Sequence, residues 1–205
     1  ISAISHEFKN PIAIISGYTE TILNDEQMPQ PMKIRFLKKI YSNANKMSQI
    51  VDKLRLTLKL EEGKQELILI PCSMKKLIIT CISDLKDKYK NREILIQGDD
   101  ITLKVDETLI SMAISNLIEN ALKYSEDEII VNISDNSITI IDKGIGIEEK
   151  ELEKINQKFY RISNNGWNNS LGLGLFIVQS VLSLHNFTLK IDSEFKNGSQ
   201  FSINY

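Results

Sequence analysis

The chain has 205 residues, of which 42% are apolar and 25% charged, with a formal net charge of −2. That balance suits one large globular domain or two small ones. It excludes the basic footprint of a nucleic-acid binder and the polybasic patch of a membrane-surface protein. No apolar run reaches the ~20 residues of a membrane helix and no signal peptide is present, so neither nucleic acid nor membrane contact is expected of this stretch. Cys72 and Cys81 are the only cysteines. Without a metal-type partner set they read as two indifferent buried thiols in a reducing compartment. The chain opens inside a helical pattern with neither Met nor cap, which predicts a portion of a longer protein.

Residues 1–24 read as a helix. Ile1, Ile4, Phe8, Pro11, Ile15, Tyr18 and Ile22 recur at 3-4 spacing, the seam of a heptad. In that register His6 points outward, with Asn10 one turn along on much the same face. A histidine destined for a core would not stand there. Pro11 withholds an N–H from the carbonyl of Glu7, so a kink or loosening is expected just past His6. Residues 24–31 form a polar, proline-bearing turn. A second helix follows over about 31–62, with Leu37, Ile40, Ala44, Met47, Val51, Leu54 and Leu58 repeating the seam. The predicted domain 1–62 is thus an antiparallel hairpin whose apolar stripe is too long to stay wet. Pairing two hairpins into a four-helix bundle would cover it, so a homodimer is expected.

Beyond Glu61-Glu62-Gly63-Lys64 the period changes, and a second domain is predicted over 66–205. Strands are expected at about 66–70, 94–97, 101–105, 128–134, 137–141, 187–192 and 199–204. Helices are expected at about 73–90, 106–124, with Asp106 as cap, and 172–184. The turn at Gly98-Asp99-Asp100 joins the second and third strands, and Asn197-Gly198 joins the last two. There is no βαβ rhythm, so an α+β arrangement is expected, a mostly antiparallel sheet with helices on one face.

Three patterns in this domain bear on chemistry. Asn116, Asn120 and Lys123 share one helix face. Carboxamide oxygens suit Mg²⁺ and a lysine suits phosphate, although a plain solvent-facing surface would use the same residues. Asp142-Lys143-Gly144-Ile145-Gly146-Ile147 follows a strand directly. Its acid is an acceptor for an amino group such as adenine's, and its glycines let backbone approach a flat ring; an ordinary strand-ending turn would look similar. Gly172-Leu173-Gly174-Leu175 opens a helix, where free N–H groups and the dipole favour phosphate, or where a loop simply enters flexibly. Between them, residues 164–169 have the polar, glycine-punctuated composition of a lid. His185, near a helix end, reads as structural.

Taken together and in this order, the patterns resemble the sensor histidine kinases of two-component systems over essentially the whole chain. Residues 5–11 resemble their H box, 116–125 the N box, 142–147 the G1 box, Phe159-Tyr160-Arg161 the F box and 172–178 the G2 box. The resemblance implies a dimeric helical-bundle phosphotransfer domain followed by an α/β-sandwich ATP-binding domain of the Bergerat type. His6 would accept the phosphoryl group, Glu7 orient or deprotonate it, and Asn10 help position water for dephosphorylating a regulator. Asn120 would hold Mg²⁺, with Asn116 and Lys123 near the phosphates and Tyr124 near the nucleotide. Asp142 would take the adenine amino group beside Gly144, Gly146 and Ile147. Lys158, Arg161, Gly172, Leu173 and Gly174 would complete the ATP site. ATP and Mg²⁺ are the implied cofactors, and the receiver domain of a response regulator the implied partner. The parent would be a membrane-anchored bacterial sensor with this portion in the cytoplasm.

Three departures stand out. Ser170 occupies a usual glycine position, Asn156 a usual aromatic one, and Lys158 a common arginine, which alone of the two makes a bidentate phosphate contact. Slower turnover is expected from these. Related ATPases carry a water-activating glutamate where this chain has Asn116, which favours transfer over hydrolysis. Two rivals stay open: an ATP-binding pseudo-kinase biased to phosphatase work, and a non-enzymatic dimerising scaffold.

Overall fold

The computed structural model describes residues 2–63, 65–162 and 171–205. They divide into two compact units, one ending at Glu62 but also including Leu171, the other holding the rest from Gly63 on.

In the first unit, α1 (Ser2–Asn24) runs without interruption through Pro11. It turns at residues 25–29, where Asp25 accepts from Gln27 N–H at 3.2 Å through its carboxylate and from Met28 N–H at 3.2 Å through its carbonyl. Helix α2 (Gln30–Glu61) begins with Pro31 in its first turn, where a missing N–H costs nothing and the ring presets φ. Tyr18 and Phe36 close the turn end of the hairpin, their rings 4.8 Å apart. The seam of α2 divides in a way the heptads alone do not display. Ile40, Met47 and Leu54 are partly shielded, and the column Phe36, Asn43, Ile50 and Thr57 joins them on the face toward α1. The other half of the predicted seam stays outside, with Leu37 50%, Val51 51% and Leu58 59% exposed. At ~100° per residue a single partner helix covers one stripe, and the 37/44/51/58 column lies round its edge.

The second unit holds a five-stranded sheet, in the order β2 (Ile94–Gln97), β4 (Ile129–Ile133), β5 (Ser137–Asp142), β7 (Gly198–Asn204), β6 (Thr188–Glu194). All neighbours are antiparallel except β2 and β4, which run parallel. Helix α4 (Glu107–Tyr124) packs on α3 (Met74–Lys86), α6 (Gly174–Leu184) and β5, and α6 packs on β6. A short α5 (Glu149–Leu152), not among the expected helices, follows β5. Val131 pairs with Ile140 and Ile140 with Phe201, placing buried side chains of adjacent strands on the same face. With Ile114, Leu117, Ile118, Ile177 and Val178 they form the core.

Two expectations need correction. The first strand is not 66–70 but β1 (Ile70–Ser73), because Ser73 caps α3 through Lys76 N–H and the strand ends there. The strands either side of Gly98 are not partners. Gly98, at φ +88°, packs on the Ile133 carbonyl with no space for a Cβ. The chain leaves the main sheet there, and β3 (Thr102–Val105) pairs with β1 in a separate two-stranded sheet. Asp100 secures the departure by accepting from Ser73 Oγ at 2.6 Å and Lys75 N–H at 3.0 Å.

Candidate functional site

In the hairpin, the histidine of interest stands on an open surface. His6 and Asn10 are exposed on consecutive turns of α1, as the heptad register requires. Glu7, about 100° round the helix from His6, is only 4% exposed, and Pro11, one turn further along, is also buried.

In the second unit the remaining motifs are organised by α4. Asp106 starts this helix as predicted, its Oδ1 accepting from Leu109 N–H at 3.1 Å and its Oδ2 from Ile68 N–H at 3.1 Å. The backbone N–H of Asp106 donates to His185 Nε2 at 3.0 Å, and His185 Nδ1 lies 2.7 Å from the Val181 carbonyl. Since Nε2 must accept, Nδ1 carries the proton and donates. His185 therefore ties the end of α6 to the start of α4.

Midway along α4, Asn116 donates from Nδ2 to the Met112 carbonyl at 2.8 Å. Its carboxamide oxygen is thereby turned toward Gly174 at the start of α6, where an added Cβ would come within 3.3 Å of it. Asn120 and Lys123, further along the helix, are half-buried. At the far end, the Tyr124 carbonyl accepts Ile145 N–H at 3.1 Å. Gly144 packs so closely there that a Cβ would lie 2.1 Å from the same carbonyl oxygen.

Helix α4 thus meets the G2-like glycine at its middle and the G1-like loop at its end. Asp142 lies at the root of that loop, 5% exposed. Its Oδ1 accepts Gly144 N–H at 2.8 Å. Burial pushes its carboxyl above the usual aspartate range, while the N–H groups of Gly144 and Ser199 pull the other way.

The loop is held on its other side by the β6–β7 turn. Lys196 N–H donates to the Ile145 carbonyl at 2.7 Å and Ile147 N–H to Ser193 Oγ at 2.9 Å. Gly146, at φ +62°, would place a Cβ 1.9 Å from the Glu194 carbonyl. This clamp could not be read from the motif, because a serine and a turn backbone carry no pattern of their own.

The F- and G2-like segments also meet. Phe159 N–H donates to the Gly172 carbonyl at 2.9 Å, with Phe159 itself at φ +64° and Gly172 at φ +69°. The Lys158 ammonium sits 4.9 Å from the Phe176 ring centre on α6, a cation–π contact. Tyr160 donates to Glu151, and Arg161 is half-buried. Leu173 is 1% exposed, so its side chain belongs to the core and only its backbone is available to a ligand. Helix α6 starts at Gly174, two residues after the predicted opening. The expected lid at 164–169 and the Ser170 departure lie outside the described residues. Asn156, the other departure, has a buried side-chain oxygen with no hydrogen-bond partner among the described residues. Cys72 and Cys81 are both buried free thiols.

A helical hairpin bearing an exposed histidine, joined to an α/β sandwich with a strand-end aspartate between glycine-built contacts, defines a two-domain class: an acceptor module and a nucleotide-type module. The comparisons agree on both parts. The model of the His Kinase A (phospho-acceptor) domain matches residues 1–63, and that of the histidine kinase-, DNA gyrase B-, and HSP90-like ATPase matches residues 105–205. The phosphate regulon sensor protein PhoR of Pseudomonas aeruginosa is 31% identical over 100% of this chain and 49% of its own length. Among solved structures, the Acinetobacter baumannii histidine kinase AdeS superposes with a TM-score of 0.74 at 21% identity, covering 97% of this chain and 95% of that one. Histidine kinase ThkA, solved in complex with response regulator protein TrrA, gives a TM-score of 0.67 at 20% identity over 98% of this chain and 59% of that one. The chain belongs to the sensor histidine kinases of two-component systems. It spans about half the length of the curated relatives it matches.

Proposed function

We propose that this chain binds ATP in its second unit, transfers the γ-phosphoryl group to His6, and passes it to an aspartate of a response-regulator receiver domain. The observation that carries this is the pairing of an exposed His6 with an Asp142–Gly144–Tyr124 arrangement suited to an adenine. Adenine presents an amino donor, and a buried carboxylate is an acceptor for it. Gly144 and Gly146 pack directly on the Tyr124 and Glu194 carbonyls, which fixes the loop rooted at Asp142. Asn116 is a carboxamide and cannot act as a general base toward water, so bound ATP would persist until an imidazole nitrogen attacks phosphorus and displaces ADP.

The residues fit a nucleotide-borne Mg²⁺. Asn120, with the Asn116 oxygen one turn before it, would hold the ion, which would supply charge neutralisation on the phosphates. Lys123 would add a point charge there. Glu7 adjoins His6 and would orient or deprotonate its ring. Lys158, Arg161, Gly172 and the Leu173 and Gly174 backbone would border the phosphate end. His6 and the proposed ATP site lie on different units, so the two units would have to approach one another during turnover.

A second copy would cover the exposed Leu37, Val51 and Leu58 column, giving the homodimeric bundle. No helix among the described residues is long and apolar enough to cross a membrane; we place this portion in the cytoplasm beneath an anchored sensor. Phosphatase action toward the regulator is supported by Asn10, exposed one turn from His6.

The test is incubation with γ-labelled ATP and Mg²⁺. Acid-labile label is expected on the wild type, followed by its transfer to a receiver domain. ATP binding without label, but with faster loss of phosphate from a phosphorylated regulator, would mark a phosphatase-biased pseudo-kinase. No nucleotide-dependent thermal shift would leave only a scaffold.

A further inference from the structure

Helix α4 ends against an arginine that no motif singles out. Arg92 stands in the connection between α3 and β2, two residues before β2. Its Nη1 donates to the carbonyls of Leu122 at 2.9 Å and Ser125 at 2.7 Å. Its Nη2 donates to Ser125 Oγ at 3.1 Å and the Asp127 carbonyl at 2.8 Å. The carbonyls at the end of a helix have no N–H partners of their own and carry its negative partial charge. A planar guanidinium satisfies several at once and in one geometry only.

The same turn carries the Tyr124 carbonyl, which accepts Ile145 N–H and lies against Gly144. Gly144 N–H in turn donates to Asp142 Oδ1. From Arg92 the contacts therefore pass through the 122–125 backbone and the 144–145 backbone to the Asp142 carboxylate. Between the guanidinium and that carboxylate every joint is main chain. A shift of the turn cannot be absorbed by a rotamer change on the way and must move the loop.

We infer that Arg92 is a positioning residue for base selectivity: it fixes the last turn of α4, and through it the loop that sets where Asp142 meets a purine. This rests on the reading of Asp142 as acceptor for the adenine amino group. Guanine presents a carbonyl at that position, which a carboxylate repels, so a well-placed Asp142 selects ATP over GTP. At the phosphate end, Asn116 and Gly174 lie roughly two turns of α4 back from the Arg92 contacts, and Lys123, though within the fixed turn, would add only a point charge, so phosphate binding depends less on Arg92 than base selection does.

The experiment is competition of ATP, GTP and inorganic tripolyphosphate against a fluorescent ATP analogue bound to the full chain, for wild type, Arg92→Ala and Arg92→Lys. Wild type is expected to prefer ATP. Arg92→Ala is expected to lose about tenfold of that preference, with tripolyphosphate competition changed less than about twofold. Arg92→Lys, keeping the charge but not the fork, should fall between them. Circular dichroism verifies folding, and if the alanine variant does not fold, the lysine variant carries the same ratio test. An unchanged ATP/GTP ratio in a folded variant overturns the role of Arg92. So does equal weakening of all three competitors, which marks general loosening. Absence of ATP preference in the wild type overturns the Asp142 reading itself and, with it, the ground for this inference.

Discussion

The two units solve burial differently. In the α/β unit, buried apolar residues come from every layer: Val131 and Ile140 from the sheet, Leu117 and Ile118 from α4, Ile177 and Val178 from α6. In the hairpin the buried apolar side chains among the described residues are Pro11, Met28, Ile50 and Leu60, while Leu37, Val51 and Leu58 stay half exposed. A two-helix hairpin lacks the surface to complete a core, and the proposed second copy would supply it, whereas the sandwich closes its own. The proposed acceptor histidine thus lies on the part whose stability would be set by association, and the proposed donor site on the part that closes its own core.

The largest effect expected from this contrast comes from Val51→Glu with Leu58→Glu. Each removes about 2 kcal/mol of apolar burial from the bundle and adds a buried charge. Sedimentation should show monomers at micromolar concentration, with hairpin helicity reduced and ATP-dependent stabilisation of the other unit kept. Next, Leu117→Ala, at a fully buried site, should cost the α/β unit about 3 kcal/mol. Calorimetry would then show its transition falling while the concentration-dependent one stays; a joint fall would break the contrast. Asp106→Ala removes the acceptors of Leu109 and Ile68 N–H and should cost about 1–2 kcal/mol by urea titration.

The smallest effect is a pH dependence. Burial raises the Asp142 carboxyl above its ordinary 3.8. A raised acid contributes its stability fully below its ordinary value and loses it as pH rises through the raised one. Asp142→Asn removes that loss. The variant should equal the wild type in urea midpoint near pH 4 and be slightly more stable at pH 7, even though it no longer binds ATP.

Sequence and structure met most closely where side chains follow a period. The outward His6, the Asp106 cap, the last hairpin and the Asn116 helix face were all legible, because helix and strand geometry places them without outside help. The seam was legible as a repeat but not in its division, since which column faces α1 depends on the packing of the partner helix. The separation of β3 from β2 was not legible: it depends on Gly98 meeting the Ile133 carbonyl, a contact between residues far apart in the chain. The clamps on the 142–147 loop were hidden for the same reason. Ser193, Lys196 and Arg92 act through backbone groups, and backbone partners leave no trace in residue type.

The division of labour between the units is tested most directly by two variants measured side by side, His6→Gln and Asp142→Asn, each assayed for ATP-induced thermal stabilisation and for acid-labile label from γ-labelled ATP. His6→Gln is expected to keep the stabilisation and lose all label, while Asp142→Asn is expected to lose both. Acid-labile label persisting on His6→Gln, or undiminished stabilisation of Asp142→Asn, would contradict that division.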